Sequence, residues 1–174
     1  MNDKWIFKGL IAVIVFQVLV LASVYVNAFY PHVTGTEIKL RTVPVDPRSL
    51  FRGHYALLRY NLSAIPKADL DSKGKARENE IVYVQLKPVE DGIYEYAGAS
   101  FTKPDEGLFL RGRLHYPRTV EDAQKYNVIY GIEALFAPME ETQELEKQLR
   151  HGGLALVMVA ANGKAALKDV IANK

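Results

Sequence analysis

The stretch DPRSLFRGHYALLRYNL, residues 46–62, holds the side chains that come nearest to a binding site. Gly53 permits a left-handed backbone where the chain bends into a strand. Around it, Arg52, His54 and Tyr60 bring a cation, an imidazole and a phenol together along the chain. Such a set could hold an anionic group or contact a partner protein. The simpler interpretation is a turn that sets the register of the following strand.

A second group of basic residues lies in LFLRGRLHY, residues 108–116. Arg111 and Arg113 are two positions apart, so a strand places them on one face, with His115 next in the row. This row could meet an anionic lipid headgroup, a glycan acid or an acidic patch of a partner. The alternative, which we favour, is pairing with glutamates on adjacent strands.

Catalytic and metal-binding patterns are weaker. The carboxylate pairs all fall in polar loops, and acid–base catalysis needs a cleft that the sequence does not reveal. The four histidines lack the short spacing of common metal ligands: His32, His54, His115 and His151. We therefore predict no catalytic residue, no metal site and no cofactor.

The positions of these residues depend on a series of β-like runs. Alternating or β-branched segments begin at seven points, and Asn162-Gly163 divides the last into two strands of a hairpin with a predicted type I′ turn. These patterns predict a mainly antiparallel β sandwich or barrel, an α+β domain with one or two short helices. The runs begin at Thr36, His54, Ile81, Ile93, Leu108, Asn127 and Leu154.

Other segments are predicted to be helices or loops. Residues 119–127 begin with a threonine suited to an N-cap, and residues 138–153 place apolar side chains at helical spacing before two glycines. Residues 66–80 are almost wholly polar and are expected to form a solvated loop, with a short helical turn as the alternative. The run from His54 carries apolar bulk on both faces, so it is expected to be a central, covered strand.

A long apolar segment lies near the N-terminus. Gly9 to Tyr30 is a run of 22 residues without a charge. At a rise of about 1.5 Å per residue it would span roughly 33 Å as a helix, which matches a hydrocarbon core about 30 Å thick. Pro31 is predicted to end this helix.

The charges before this segment predict its orientation. Lys4 and Lys8 precede the first apolar span, which favours a cytoplasmic N-terminus. The expected organisation is a cytoplasmic N-terminus (1–8), a transmembrane anchor (9–30) and an exported β-rich domain (32–174). The competing prediction is a signal peptide cleaved after the small residue Ala28.

Composition narrows the function classes. The net charge is +2, from 22 basic and 20 acidic residues. Because nucleic-acid binding needs a concentrated positive field, this balance argues against nucleic acid as a main partner. The chain has no cysteine, which excludes a disulfide framework and cysteine metal sites.

The segment GHYALLRY resembles the signature of the GDYXXLXY family. Gly53, Tyr55, Leu58 and Tyr60 match it, whereas His54 stands where the signature has aspartate. The later segments LRGR, YGIEALFAP and GKAALKDV are similar to other blocks of that family. The resemblance implies a bacterial membrane-anchored protein with a β-rich exported domain. It implies no catalytic residues.

Together these patterns predict a single-pass inner-membrane protein with a periplasmic β-rich domain. We expect this domain to act as a binding or accessory module in contact with the lipid bilayer and another envelope membrane protein. The alternatives are an envelope hydrolase with a histidine–carboxylate site and a carrier of a small ligand.

Overall fold

A long N-terminal helix leads directly into a β-rich domain. The computed structural model describes 11 strands and two α-helices in the following parts of the chain: residues 3–43, 55–71, 76–116, 124–136 and 152–172.

Helix α1 (Asp3–Thr34) contains the apolar segment. Its apolar side chains are exposed along its length, with Trp5 at 74% and Leu21 at 69%. The Ser23 hydroxyl donates to the Val20 carbonyl (2.8 Å), which satisfies a polar group inside the apolar run. The part from Trp5 to Thr34 is long and apolar enough to cross a membrane.

The prediction that Pro31 ends the helix is wrong. Helix α1 continues through Pro31 to Thr34. A proline inside a helix lacks the N–H that would bond to the carbonyl four residues earlier. Here that carbonyl belongs to Asn27, and it accepts instead from the Lys164 Nζ of the β domain (2.8 Å).

Strands account for most of the described residues of the domain. A 3₁₀ turn (Asn61–Ser63) precedes β4, and helix α2 (Lys67–Asp71) follows it. The strands are β1 (Thr36–Val43), β2 (Tyr55–Leu57), β3 (Arg59–Tyr60), β4 (Ala64–Pro66), β5 (Ile81–Pro88), β6 (Tyr94–Ser100), β7 (Phe109–His115), β8 (Lys125–Ile129), β9 (Ala134–Phe136), β10 (Gly153–Val159) and β11 (Ala165–Ala172).

These strands form two sheets and a two-stranded ribbon. The orders are β11-β10-β1-β3, β4-β8-β7-β5-β6 and β2-β9, with antiparallel neighbours throughout. A parallel bridge between Lys39 and Ile93 connects β1 to the start of β6. On the other side, the Arg111 N–H of β7 donates to the Gly163 carbonyl (2.7 Å). The sheet is therefore nearly closed, and the predicted mainly antiparallel fold is confirmed.

Alternation along the strands builds the core. In β5, Val82, Val84 and Leu86 are buried, and Ile81 and Gln85 are exposed. Each buried aliphatic side chain contributes roughly 1.5–3 kcal/mol relative to exposure. The same pattern in the other strands buries a common interior that includes Ile38, Leu40, Leu110, Leu114, Val128, Ala155 and Val157.

Several local predictions need correction. In the predicted loop 66–80 the helical alternative is present as α2, but the segment is not wholly solvated, because its one large apolar side chain, Leu70, is buried in the core. The predicted helix 119–127 ends in strand β8, where pairing with β4 and β7 outweighs local helix propensity. Residues 119–123 of this predicted helix lie outside the described residues. So do residues 138–151 of the predicted helix 138–153.

The strand that follows His54 is not central. Among the described strands, β2 pairs only with β9, and β3 is the last strand of its sheet, paired with the end of β1. The break between them at Leu58 divides the run between a ribbon and a sheet.

The Asn162-Gly163 hairpin is confirmed, but its turn type is not. Gly163 has a positive φ of 78°, and Asn162 does not. Ala160 N–H donates to Lys164 O (2.9 Å), and Gly163 N–H donates to Ala160 O (2.8 Å). This is a three-residue loop with a glycine in the left-handed region, rather than a two-residue type I′ turn.

Candidate functional site

The last residues of the signature segment contribute two side chains to the core. Leu58 and Tyr60 are buried at 3% and 2% exposure, and Arg59 between them is exposed. Leu58 N–H donates to the Glu133 carbonyl (2.7 Å), and the Tyr60 hydroxyl donates to the Ile132 carbonyl (2.6 Å). Since the Tyr60 hydroxyl is taken up inside the core, Arg59 is the side chain among these three that a partner could reach.

A second buried tyrosine, Tyr130, makes a hydrogen bond in the opposite direction between the same two segments. The Tyr130 hydroxyl donates to the Leu62 carbonyl (2.7 Å), so Tyr60 and Tyr130 each bond to the segment that carries the other. We call these two residues the tyrosine pair. Burial, and then the negative charge of Glu133, raises the pKa of both phenols well above the usual range. They are neutral structural donors at physiological pH.

Glu133 holds the turn between these contacts. Its carboxylate accepts the N–H of Tyr130 (2.6 Å) and the N–H of Gly131 (2.8 Å), where Gly131 has a φ of 85°. Sequence reasoning did not select Tyr130 or Glu133 as functional residues. Both lie in YGIEALFAP, the segment that was noted only as a family-like block.

We expect Tyr130→Phe to destabilise the protein by about 1.5 kcal/mol. The change leaves the buried Leu62 carbonyl without its donor, and such losses cost about 1–3 kcal/mol. In a chain of this size the melting temperature should fall by roughly 3–6 °C. Tyr116→Phe is the control, because its hydroxyl also bonds a carbonyl, that of Ala76, from a more exposed position. Equal shifts for the two variants in detergent melting curves would contradict the role of burial.

Helix α2 is bonded to β6 by another tyrosine. The Tyr96 hydroxyl donates to Asp69 Oδ2 at 2.5 Å. Desolvation and then the hydrogen bond to this carboxylate raise the pKa of Tyr96 above its usual range. The contact explains why the polar segment that contains α2 stays packed against the sheet.

The basic row lies on the outer face of β7 as predicted. Arg111 and Arg113 are exposed, and the residues between and beside them are buried. Arg113 donates to the Asn79 carbonyl (3.0 Å), and His115 Nδ1 lies 2.7 Å from Glu78 Oε1. The carboxylate beside this row therefore belongs to the turn before β5, not to an adjacent strand.

The histidine–carboxylate hypothesis has limited support. His115 and Glu78 are close but partly exposed. Within the described residues, no group of three or more histidine, aspartate or glutamate side chains is arranged to hold a metal ion. His32 lies in α1 beside Phe29, with ring centres 6.0 Å apart. Arg52 and His54, both predicted binding residues, and His151 lie outside the described parts of the chain.

The end of α1 is joined to the domain by a group of polar and close backbone contacts. Lys164 Nζ donates to both the carbonyl (2.8 Å) and Oδ1 (2.9 Å) of Asn27. Pro31 is buried, and the Gly35 N–H donates to its carbonyl (2.9 Å). We call residues 27–35 together with residues 159–164 the helix–domain junction.

Gly35 allows the close approach in this junction. A Cβ at this position would lie 2.3 Å from the Pro31 carbonyl oxygen and 3.0 Å from the Val159 nitrogen. Both neighbours are backbone atoms, so neither can move as a side chain would. A side chain at residue 35 would therefore meet the backbone of the helix end and, less closely, that of β10.

The hairpin turn of the junction also rests on β7. A Cβ on Gly163 would lie 2.5 Å from the Phe109 ring, and the Gly163 carbonyl accepts from Arg111 N–H. Phe109 packs edge-on against Tyr83 and lies under Lys103 Nζ at 5.8 Å. The turn therefore connects the helix on one side with β7 on the other.

We expect Lys164→Met to loosen this junction. The change leaves the Asn27 carbonyl without a donor, because Pro31 supplies none. For a partly exposed charged hydrogen bond we expect a loss of about 1 kcal/mol, which gives roughly fivefold faster hydrogen exchange at Gly35. Lys125→Met, at an exposed position of β8, should leave this exchange rate unchanged. Unchanged exchange in both variants would show that Lys164 does not support the junction.

The sequence of residues 17–170 matches a family model described as GDYXXLXY protein. This range begins inside α1 and ends inside β11, so it includes the signature segment, the tyrosine pair and the helix–domain junction. No curated protein and no solved structure matches the chain.

Proposed function

Because the chain belongs to the GDYXXLXY family and α1 fits a membrane anchor, we propose that it is a single-pass protein of the bacterial inner membrane. In this proposal the N-terminus is cytoplasmic and the residues after Pro31 are periplasmic. The lysines before the apolar run support this orientation. The β-rich domain is an accessory module for another envelope membrane protein.

The observation that carries the proposal is the helix–domain junction. The helix does not end in a linker: it stays helical to Thr34, and one residue later β1 begins. Lys164 holds the helix from the domain side. A partner that binds α1 in the bilayer would therefore fix the position of the domain as well.

The described residues bear in different ways on the two alternatives, a small-ligand carrier and an envelope hydrolase. The interior is filled by buried aliphatic side chains, which does not support a small-ligand carrier. The hydrolase alternative rests on His115 at the end of β7 and Glu78 in the turn before β5, and both side chains are partly exposed. The predicted binding residues Arg52, His54, Arg111 and Arg113 are proposed to contact the partner or the membrane.

Two experiments test the proposal. A periplasm-sensitive reporter fused after Lys174 should be active, and activity of a cytoplasm-specific reporter instead would overturn the orientation. When the full-length chain is purified from membranes in mild detergent, one other membrane protein should co-purify with it reproducibly. A chain with residues 9–30 replaced by an unrelated apolar helix should lose that protein if α1 contributes to binding. Absence of any reproducible partner for the native chain would overturn the accessory role.

A further inference from the structure

We infer that the outer face of the domain around Arg111 contacts the headgroups of anionic phospholipids. This inference rests on the proposed membrane anchoring, but not on the proposed protein partner. Three points carry it: the depth of Asn27 expected from the length of the apolar run, the connection from Asn27 to Arg111, and the exposed charges at that place.

The depth of Asn27 follows from the length of the apolar run. A hydrocarbon core is crossed by about 20 helical residues, so a span that begins at Gly9 ends near Ala28. Asn27 therefore lies where the hydrocarbon core meets the headgroups. The headgroup layer on each side is roughly 5–7 Å thick, which is only about four residues of helix.

The hydrogen bonds of the junction bring the domain down to that depth. Lys164 bonds to Asn27, and its neighbour Gly163 accepts from the Arg111 N–H at 2.7 Å. Two hydrogen bonds, the Lys164 side chain and one peptide unit thus connect Arg111 to Asn27. Because the Arg111 side chain is exposed, its guanidinium lies within reach of the headgroup phosphates.

The local charges decide which headgroups are preferred. Arg111 and Lys103 are exposed cations, and Lys103 is held over the Phe109 ring. Arginine matches phosphate oxygens with two parallel donors. Asp105 and Glu106, in the loop before β7, are exposed acids that oppose the attraction. The inference therefore predicts opposite effects when the basic or the acidic residues are neutralised.

Lipid enrichment beside the hairpin turn measures the contact. The chain has no cysteine, so Ala161→Cys accepts a single donor dye at an exposed position of the turn. The full-length protein is placed in nanodiscs that contain phosphatidylcholine and phosphatidylglycerol, with a trace of either lipid carrying an acceptor dye. Near one surface cation we expect roughly fivefold local enrichment of phosphatidylglycerol.

Matched variants isolate Arg111. Arg111→Gln should reduce the enrichment, as should high salt, and Asp105→Asn with Glu106→Gln should increase it. Arg59→Gln is the control: Arg59 is an exposed strand arginine paired with Val43, at the end of β1 far from α1.

Equal energy transfer to the two lipids in the native protein, or no effect of Arg111→Gln, would overturn the headgroup contact and leave the anchor in place. Failure of the chain to enter nanodiscs would overturn both the contact and the anchoring.

Discussion

Gly35→Ala should lower the stability of the domain by about 3 kcal/mol and separate the helix from β10. The added methyl group would lie 2.3 Å from the Pro31 carbonyl oxygen, a distance that requires the backbone to move. Overpacking of this kind costs about 1–3 kcal/mol, and here both near neighbours are backbone atoms, so we expect the upper end. The melting temperature in detergent should fall by roughly 6–12 °C.

Gly98→Ala is the matched control for this change. Gly98 also lies in the β domain, but a Cβ there meets only the end of the flexible Gln85 side chain at 3.5 Å. Its φ is not positive, so backbone strain does not enter the comparison. If the Gly35→Ala and Gly98→Ala variants have the same melting temperature, the close contact at the junction does not contribute to stability.

Alkaline solution should unfold the protein through the tyrosine pair. Burial raises the pKa of Tyr60 and Tyr130 in the folded state, whereas an unfolded tyrosine has a pKa near 10. Below about pH 10 both states are protonated, and the stabilisation is complete. Above it only the unfolded state releases protons, so stability falls by about 1.4 kcal/mol per pH unit for each tyrosine.

The two buried tyrosines together should remove about 2 kcal/mol of stability between pH 10 and pH 11, because the full slope is reached only above pH 11. Tyr96 adds to the trend, but it is only half-buried and contributes less. Denaturant titrations at several pH values measure the slope. Tyr130→Phe should remove about half of it, and a native protein whose stability does not change above pH 10 would contradict the buried, neutral state of the pair.

The features that could be predicted from the sequence are local ones. The β-branched and aromatic residues of the run from Ile81 identify β5, and Asn162-Gly163 identifies the final hairpin. These patterns depend on which side chains face water along a single strand. The burial of Leu70 in the polar segment around α2 could not be predicted in this way, because a single apolar residue shows no periodicity.

The candidate sites depend on contacts between distant parts of the chain. Tyr60 bonds to a carbonyl 72 residues later, and Lys164 bonds to a helix residue 137 positions earlier. Pro31 would end an isolated helix, and only the lysine from the last hairpin supplies the donor that it lacks. The sequence could therefore indicate an anchor and a β domain, but not their junction.

The absence of a linker after α1 has a consequence in membranes of different thickness. A helix whose apolar length exceeds that of the surrounding lipid tilts to reduce the mismatch. Because α1 is bonded to the domain at Asn27 and packed against it at Gly35, the tilt must swing the whole domain over the surface. Bilayer thickness would in this way set the angle at which the domain meets its neighbours.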